Sequence, residues 1–334
     1  MSKDHHTRRC VLRRLGTASA AIVPALSGCL DSGSSDVDET PTSTPTSTPS
    51  ITPDPRIDDV DADAWREYGP KPYARFSPQP SVIGETGRLT CTLPAVTRQH
   101  SEAFGDAKNR FTSSWVDIPP GAFAETTYFN IHTHSTICIG GAFDKDPVVD
   151  RFEAFSFEKL DPYGGFDLYA GSTSGVKLQV TAVQDGWVLI AFPSDIPDGK
   201  RKIRHLIDLC REETTPHSQS SDPFGDVAAY LPQGVFTRVY PDISELNLRL
   251  SGDRLETAGE TLRFDGQHTP ATGIVVLRFR DGVDDPKGVW EESSEWLTSF
   301  MRLSLPDHEV EIRVPSDRTL VLEGPVDPET VFGT

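Results

Sequence analysis

The chain is short of lysine. Nine lysines stand beside 23 arginines in 334 residues, and all 32 basic residues face 50 acidic ones, for a formal net charge of −18. No basic stripe is present to displace counterions from a phosphate backbone, which argues against nucleic acid as a partner. Long apolar runs are missing too. The stretch from Gly16 to Leu30 falls short of the roughly 20 residues a helix needs to cross a bilayer. Gly-x-Gly-x-x-Gly, the phosphate loop and His-Glu-x-x-His are all absent, so the motifs that announce dinucleotide, nucleoside triphosphate or zinc-protease chemistry do not occur. None of the three asparagines, Asn109, Asn130 and Asn247, lies in an Asn-x-Ser/Thr sequon.

What is present begins at the N-terminal end. Thr7 to Arg14 is basic, Ala18 to Leu26 is mostly small and apolar, and Leu26-Ser27-Gly28-Cys29 closes the stretch. That order is the order of a secretory signal, not of a membrane span. Arg8-Arg9 followed by Val11-Leu12 resembles the twin-arginine export motif, with Val11 at the position usually held by a larger apolar residue. Leu26 to Cys29 resembles the lipobox of bacterial and archaeal lipoproteins at all four positions. The resemblance implies that residues 1–28 are removed and that Cys29 becomes the mature N-terminus with a thioether-linked diacylglyceryl group. The expected location is the extracellular face of the cell membrane, held by lipid, since two acyl chains anchor stably where one does not.

Five cysteines follow a simple partition. Cys10 leaves with the signal, Cys29 takes lipid, and Cys91, Cys138 and Cys210 remain. Three allow at most one disulfide. Cys210 shares an apolar helical face with Ile203, Leu206 and Ile207, which predicts a buried free thiol there. Removal of residues 1–28 takes away five basic residues and one acid, leaving 27 against 49 and a net charge of −22. This acidity, with its scarcity of lysine, resembles that of proteins from extreme halophiles. At about 1 M salt the Debye length is near 3 Å, so the self-repulsion is tolerated.

Residues 29–64 form a linker rich in Asp, Ser, Thr and Pro, with Thr-Pro-Thr-Ser-Thr-Pro-Thr-Ser-Thr-Pro at 40–49. It has too few apolar residues to bury a core and is expected to stay disordered, a stalk that carries the globular part.

From Trp65 onward, strand and helix patterns alternate. Gly87–Leu93, Thr127–Ile131, Thr136–Phe143, Phe166–Tyr169, Lys177–Val183 and Trp187–Phe192 read as strands. Gln184-Asp185-Gly186 reads as a hairpin turn. Asp146 is expected to cap a helix with Pro147 at its first position and Val148, Val149, Phe152 and Phe155 on one face. A basic amphipathic helix runs from about Lys200 to Arg211, and Asp222-Pro223 opens another. Val235–Val239, Leu246–Leu250, Glu260–Phe264, Ile274–Phe279, Val310–Val314 and Thr319–Leu322 complete the strands, with a helix opened by Asp285-Pro286. Strand, Asp-Pro, helix, strand, strand therefore occurs twice. The predicted fold is α+β: two similar halves, 65–240 and 241–334, each a mainly antiparallel sheet with helices packed on one face.

The order Gly141-Ala142-Phe143-Asp144, the helix through Phe152, Tyr163 to Tyr169, Ala182 to Val188, the helix near Ile207, and Asp226 to Gly234 resembles a domain of unknown function in haloarchaeal lipoproteins and some bacterial surface proteins. That resemblance spans about residues 110–325 and implies no activity and no catalytic residues.

Among chemistry-bearing residues, His132-Thr133-His134 is the one metal hint. On an extended strand both imidazoles project from one face, joined by Cys138 only if the strand continues unbroken. Zinc needs a third or fourth ligand, and no recognisable spacing supplies one. Gly171 to Gly175 lacks the central serine of a nucleophile elbow. The sequence thus reads as a lipid-anchored, non-enzymatic binding or interaction module of the cell envelope, with an envelope protein as possible partner and no cofactor implied. Two alternatives are a metal-binding protein or metalloenzyme using His132 and His134, and a solute-binding lipoprotein of a transporter.

Overall fold

Proline and glycine punctuate the globular part, and the elements between them assemble into one sheet. The structure is a computed structural model. It describes residues 64–84, 88–104, 126–173, 177–243, 254–264, 270–297, 303, 305 and 309–329. The predicted strand 246–250, the signal and the linker up to residue 63 lie outside the described residues.

The strands are β1 (Leu89–Thr92), β2 (Thr127–His132), β3 (Thr136–Gly141), β4 (Glu158–Tyr163), β5 (Phe166–Thr173), β6 (Lys177–Gln184), β7 (Trp187–Ala191), β8 (Phe236–Tyr240), β9 (Leu255–Arg263), β10 (Ala271–Phe279), β11 (Glu311–Ser316) and β12 (Thr319–Val326). They form a 12-stranded sheet in the order β11-β12-β10-β9-β8-β1-β2-β3-β7-β6-β5-β4. Every neighbouring pair is antiparallel. The principal helices are α1 (Asp146–Ala154), α2 (Ile196–Cys210), α3 (Asp222–Tyr230) and α4 (Pro286–Leu297).

Local chemistry accounts for these elements. The β6–β7 turn is Asp185-Gly186, with Gly186 at φ +75°, a conformation glycine adopts without strain. Asp195 caps α2 by accepting from the Asp198 N–H at 2.8 Å, and Pro197 fits its first turn. Asp285 caps α4 by accepting from the Gly288 N–H at 2.9 Å. Asp146 differs from the sequence expectation. It is the first residue of α1, and no side chain caps the helix. Gly199 lets α2 lie close on β6, since a Cβ there would meet Val180 Cγ2 at 2.2 Å.

Alternate residues of each strand point to opposite faces. On the front face, Cys91, Ile131, Cys138, Leu189, Val180, Leu168, Ile274, Val276 and Val321 join one core with α2 (Ile203, Leu206, Ile207) and α3 (Phe224, Val227). Trp65, Tyr73 and Phe76, from a stretch with no readable period, complete it. The back face carries two separate cores. Val148 and Phe152 of α1 pack with Ile137, Ile139, Tyr169, Val188 and Ile190. Trp290 of α4 packs with Leu255, Val275, Leu277, Phe279 and Leu320. Helices therefore lie on both faces, where the sequence pattern had suggested one. The reason is that α1 and α2 bury stripes of opposite strand parity, which helix periodicity alone does not reveal.

Both sheet edges resist further pairing. The outer strands β4 and β11 are largely solvent-facing, and each carries a proline, Pro162 and Pro315, which cannot donate to a new ladder. β4 escaped the sequence reading because Glu158-Lys159-Leu160-Asp161-Pro162 shows no apolar alternation.

Candidate functional site

Burying Ile203, Leu206 and Ile207 turns the opposite face of α2 outward, and that face is basic. Lys200, Arg201 and Arg204 line an open groove of about 600 Å³ together with Val82, Tyr163, Ile196, Pro197, His205 and Asp208. Three cations thus stand against one carboxylate in a strongly acidic chain. Arg201 is held by Asp198 at 2.8 Å. Lys202 is nearly buried and bridges the same carboxylate at 2.9 Å. Lys200 and Arg204 have no carboxylate within ion-pair distance among the described residues. The Arg204 guanidinium lies 5.0 Å from the centre of the Tyr163 ring, a cation–π contact.

The remaining polar groups are fixed. The Tyr163 hydroxyl donates to Asp208 Oδ1 at 3.0 Å, and that hydrogen bond, with the carboxylate charge, raises the phenol's pKa. His205 Nε2 accepts from the Gln79 N–H at 3.0 Å, and burial lowers its pKa. Both effects favour a neutral imidazole that positions the chain and leaves Lys200, Arg201 and Arg204 as the positive charge of the groove. An arginine beside an aromatic ring and an apolar wall suits a carboxylate or phosphate, which guanidinium binds in a bidentate manner.

A second groove of about 620 Å³ contains Lys71, Arg75, Glu212 and Glu213. Its cations already have partners. Arg75 pairs with Glu212 at 2.6 Å, and the Lys71 ammonium donates to the Ala228 and Ala229 carbonyls at the end of α3.

The sequence-read histidines separate. His132 ends β2, partly buried, while His134 sits exposed in the hairpin turn before β3. His132 pairs in register with Ile137, so Cys138, paired with Ile131, points to the other face. The strand does not continue unbroken, and Cys138 does not join the histidines. Burial, and secondarily Arg88, pulls His132 down to about 4. Among the described residues, no group of three or more His, Cys, Asp or Glu is placed to hold a metal ion. Cys29, Arg8 and Arg9 lie outside the described residues.

His132 belongs instead to a polar row across the back face. Thr90 pairs with His132 and with Arg238, and Arg238 pairs with Glu260. Arg238 Nη1 donates to Glu260 Oε1 at 3.1 Å, and Glu260 Oε2 accepts the Leu303 N–H at 2.9 Å. Glu260 is fully buried.

Sequence reasoning found the basic helix but not its groove. Tyr163 and Val82 come from other elements, and only the fold brings them to α2. No family model matches the chain, and no curated protein matches it. A solved structure titled "Structure of crystal form I of TP0453" is similar at 10% identity and a TM-score of 0.44, over 79% of this chain and 95% of that one. That likeness is too distant to bear on activity.

Proposed function

We propose that the protein is a lipoprotein held on the extracellular face of a cell membrane through Cys29, displaying a non-enzymatic binding module for an anionic group. The observation that carries the binding role is the groove along α2, where Lys200, Arg201 and Arg204 gather beside Tyr163 on a chain of net charge −18. A cluster of one sign in a field of the other focuses ligands of opposite charge. In molar salt, long-range attraction is screened, so short bidentate contacts to a carboxylate or phosphate carry the affinity. The Leu26-Ser27-Gly28-Cys29 lipobox and the Arg8-Arg9 pair support export and anchoring.

The module reads as two related halves. β1-β2-β3-α1 and β8-β9-β10-α4 follow the same path. Each helix leads to an outer edge strand, and the chain then returns strand by strand to pair with the third strand. The return takes four strands, β4 to β7, in the first half and two, β11 and β12, in the second. This division falls before Phe236, slightly earlier than the 240/241 boundary read from the pattern.

The groove is tested by calorimetric titration of the full chain with citrate and with inorganic phosphate, beside Arg204→Ala and Lys200→Ala. The wild type binds at least one of the two, and loss of one charge-assisted contact weakens it roughly tenfold or more. Affinities unchanged in both variants, or no binding of either anion, overturn the assignment of the groove.

A further inference from the structure

The groove along α2 is amphipathic as well as basic. Lys200, Arg201 and Arg204 share it with the apolar side chains of Val82, Ile196 and Pro197 and with the Tyr163 ring. Pro197, Arg201 and Arg204 are exposed. Cations, a phenol and apolar side chains together suit the boundary between water and hydrocarbon, where the charges meet headgroups and the ring keeps one end wet. The nearby acids are already engaged. Asp195 caps the helix, Asp198 holds Arg201 and Lys202, and Asp208 accepts from Tyr163.

The chain enters the described residues on the same side of the sheet. Ala64 and Trp65 are buried, and Trp65 belongs to the front-face core on which α2 lies. The chain then comes to α2. The Gln79 N–H donates to His205 Nε2 at 3.0 Å, and Arg201 Nη1 donates to the Ser81 carbonyl at 3.4 Å. Val82 follows directly and enters the groove. Residues 30–63 therefore join the domain on the face that carries the groove. They extend to at most about 120 Å, so with Cys29 held in a membrane the groove reaches that same membrane. Such a tether sets an effective concentration on the order of millimolar, and contacts of modest strength suffice. In about 1 M salt, a Debye length near 3 Å removes the long-range repulsion between an acidic chain and an anionic surface but spares contacts at hydrogen-bond distance.

We propose that the groove docks on the phosphate headgroups of anionic phospholipids in the membrane that holds Cys29, with the α2 side of the domain toward the lipid. Docking rests on the reading of the groove as an anion site and supplies its ligand. Arg204, over the Tyr163 ring at 5.0 Å, makes the bidentate contact to a phosphate. Lys200 adds a second charge. Arg201 contributes less, because Asp198 already neutralises part of it. Val82, Ile196 and Pro197 rest against the glycerol and upper acyl carbons.

The experiment uses the full chain carrying Cys29→Ser, so that no lipid on the protein holds it to a surface. A water-soluble amine-acylating reagent is applied in about 1 M salt, and the rate of labelling at Lys200 is read by peptide mass spectrometry. Lys287, exposed on α4 behind the sheet, is the reference. The probes are phosphatidylcholine vesicles, the same vesicles with a third of the lipid replaced by phosphatidylglycerol, and inorganic phosphate. With the phosphatidylglycerol vesicles, labelling of Lys200 slows several-fold while Lys287 is unchanged. Phosphatidylcholine alone has no effect, and Arg201→Ala with Arg204→Ala, both at exposed positions, restores the rate of the free protein. Slowing by inorganic phosphate but not by these vesicles overturns docking and leaves the groove as a site for a small anion. No slowing by either overturns docking and the anion-site reading together. Slowing that persists in the double variant, or that is equal at Lys287, shows that the chain adsorbs elsewhere and overturns the proposal.

Discussion

The two faces of the sheet are held together by different means. On the front, one apolar core runs from Phe166 and Leu168 on β5 to Val321 on β12, beneath α2 and α3. On the back, the apolar residues form two separate clusters, one with α1 and one with Trp290 of α4. Between them runs the row His132, Thr90, Arg238 and Glu260. The contrast assigns roles. The front core joins both sides of the β1–β8 pairing into one unit, and because it consumes the apolar stripe of α2 it also turns Lys200, Arg201 and Arg204 outward into the groove. The back face retains a polar midline that is tolerated only because its charges are paired.

The largest expected effect breaks that midline. Glu260→Ala strips Arg238 of its carboxylate and the Leu303 N–H of its acceptor, and should cost about 3–5 kcal/mol in urea unfolding at fixed salt. The double change Arg238→Met with Glu260→Leu should recover most of the loss, by giving the back face the chemistry of the front. A single-variant cost below about 1 kcal/mol would mean that the midline is wet.

Next in size is the front core. Ile203→Ala should cost about 2–4 kcal/mol and speed amide exchange on both sides of the β1–β8 pairing, because one core serves strands on both sides. Faster exchange confined to β5–β7 would show that the front face does not unite them.

A smaller effect arises in acid. His132 has a folded pKa near 4, below its unfolded value of about 6.5. The unfolded chain therefore binds the proton more readily. The contribution of His132 is complete above about pH 6.5 and is lost as pH falls toward 4. A His132→Gln variant should show a shallower fall in stability across that window, and an identical slope would remove His132 as the cause. The smallest effect lies on the surface. Lys287 and Glu291 pair at 3.6 Å with both side chains exposed, and Lys287→Ala should change stability by no more than about 0.5 kcal/mol.

Much of the fold was legible in residues that act locally. Asp185-Gly186 specifies a hairpin turn, Asp222-Pro223 and Asp285-Pro286 specify helix starts, and alternation in β6, β7, β10 and β12 specifies strands. The start of α2 was placed four residues late, because the pattern was followed from Lys200 while the cap at Asp195 was passed over. What stayed hidden depends on contacts distant in sequence. β4 is an edge strand with nothing to bury on one side, so it shows no alternation. Trp65, Tyr73 and Phe76 belong to the core through short helical turns that have no period. The face on which each helix lands depends on strand parity, and the groove needs Tyr163 of β4 beside Arg204 of α2. For the site, the basic character of the helix was visible. Its partners were not, and the separation of Cys138 from His132 appeared only with the β2–β3 register.

The most direct test of the account is the chemical identity of the N-terminus of protein extracted from cell membranes, read by mass spectrometry of the intact chain and its first peptide. The account predicts a chain that begins at Cys29 with a diacylglyceryl group on its sulfur, and none of this modification in Cys29→Ser. An unmodified Cys29, or membrane-extracted protein in which residues 1–28 remain attached, would contradict it.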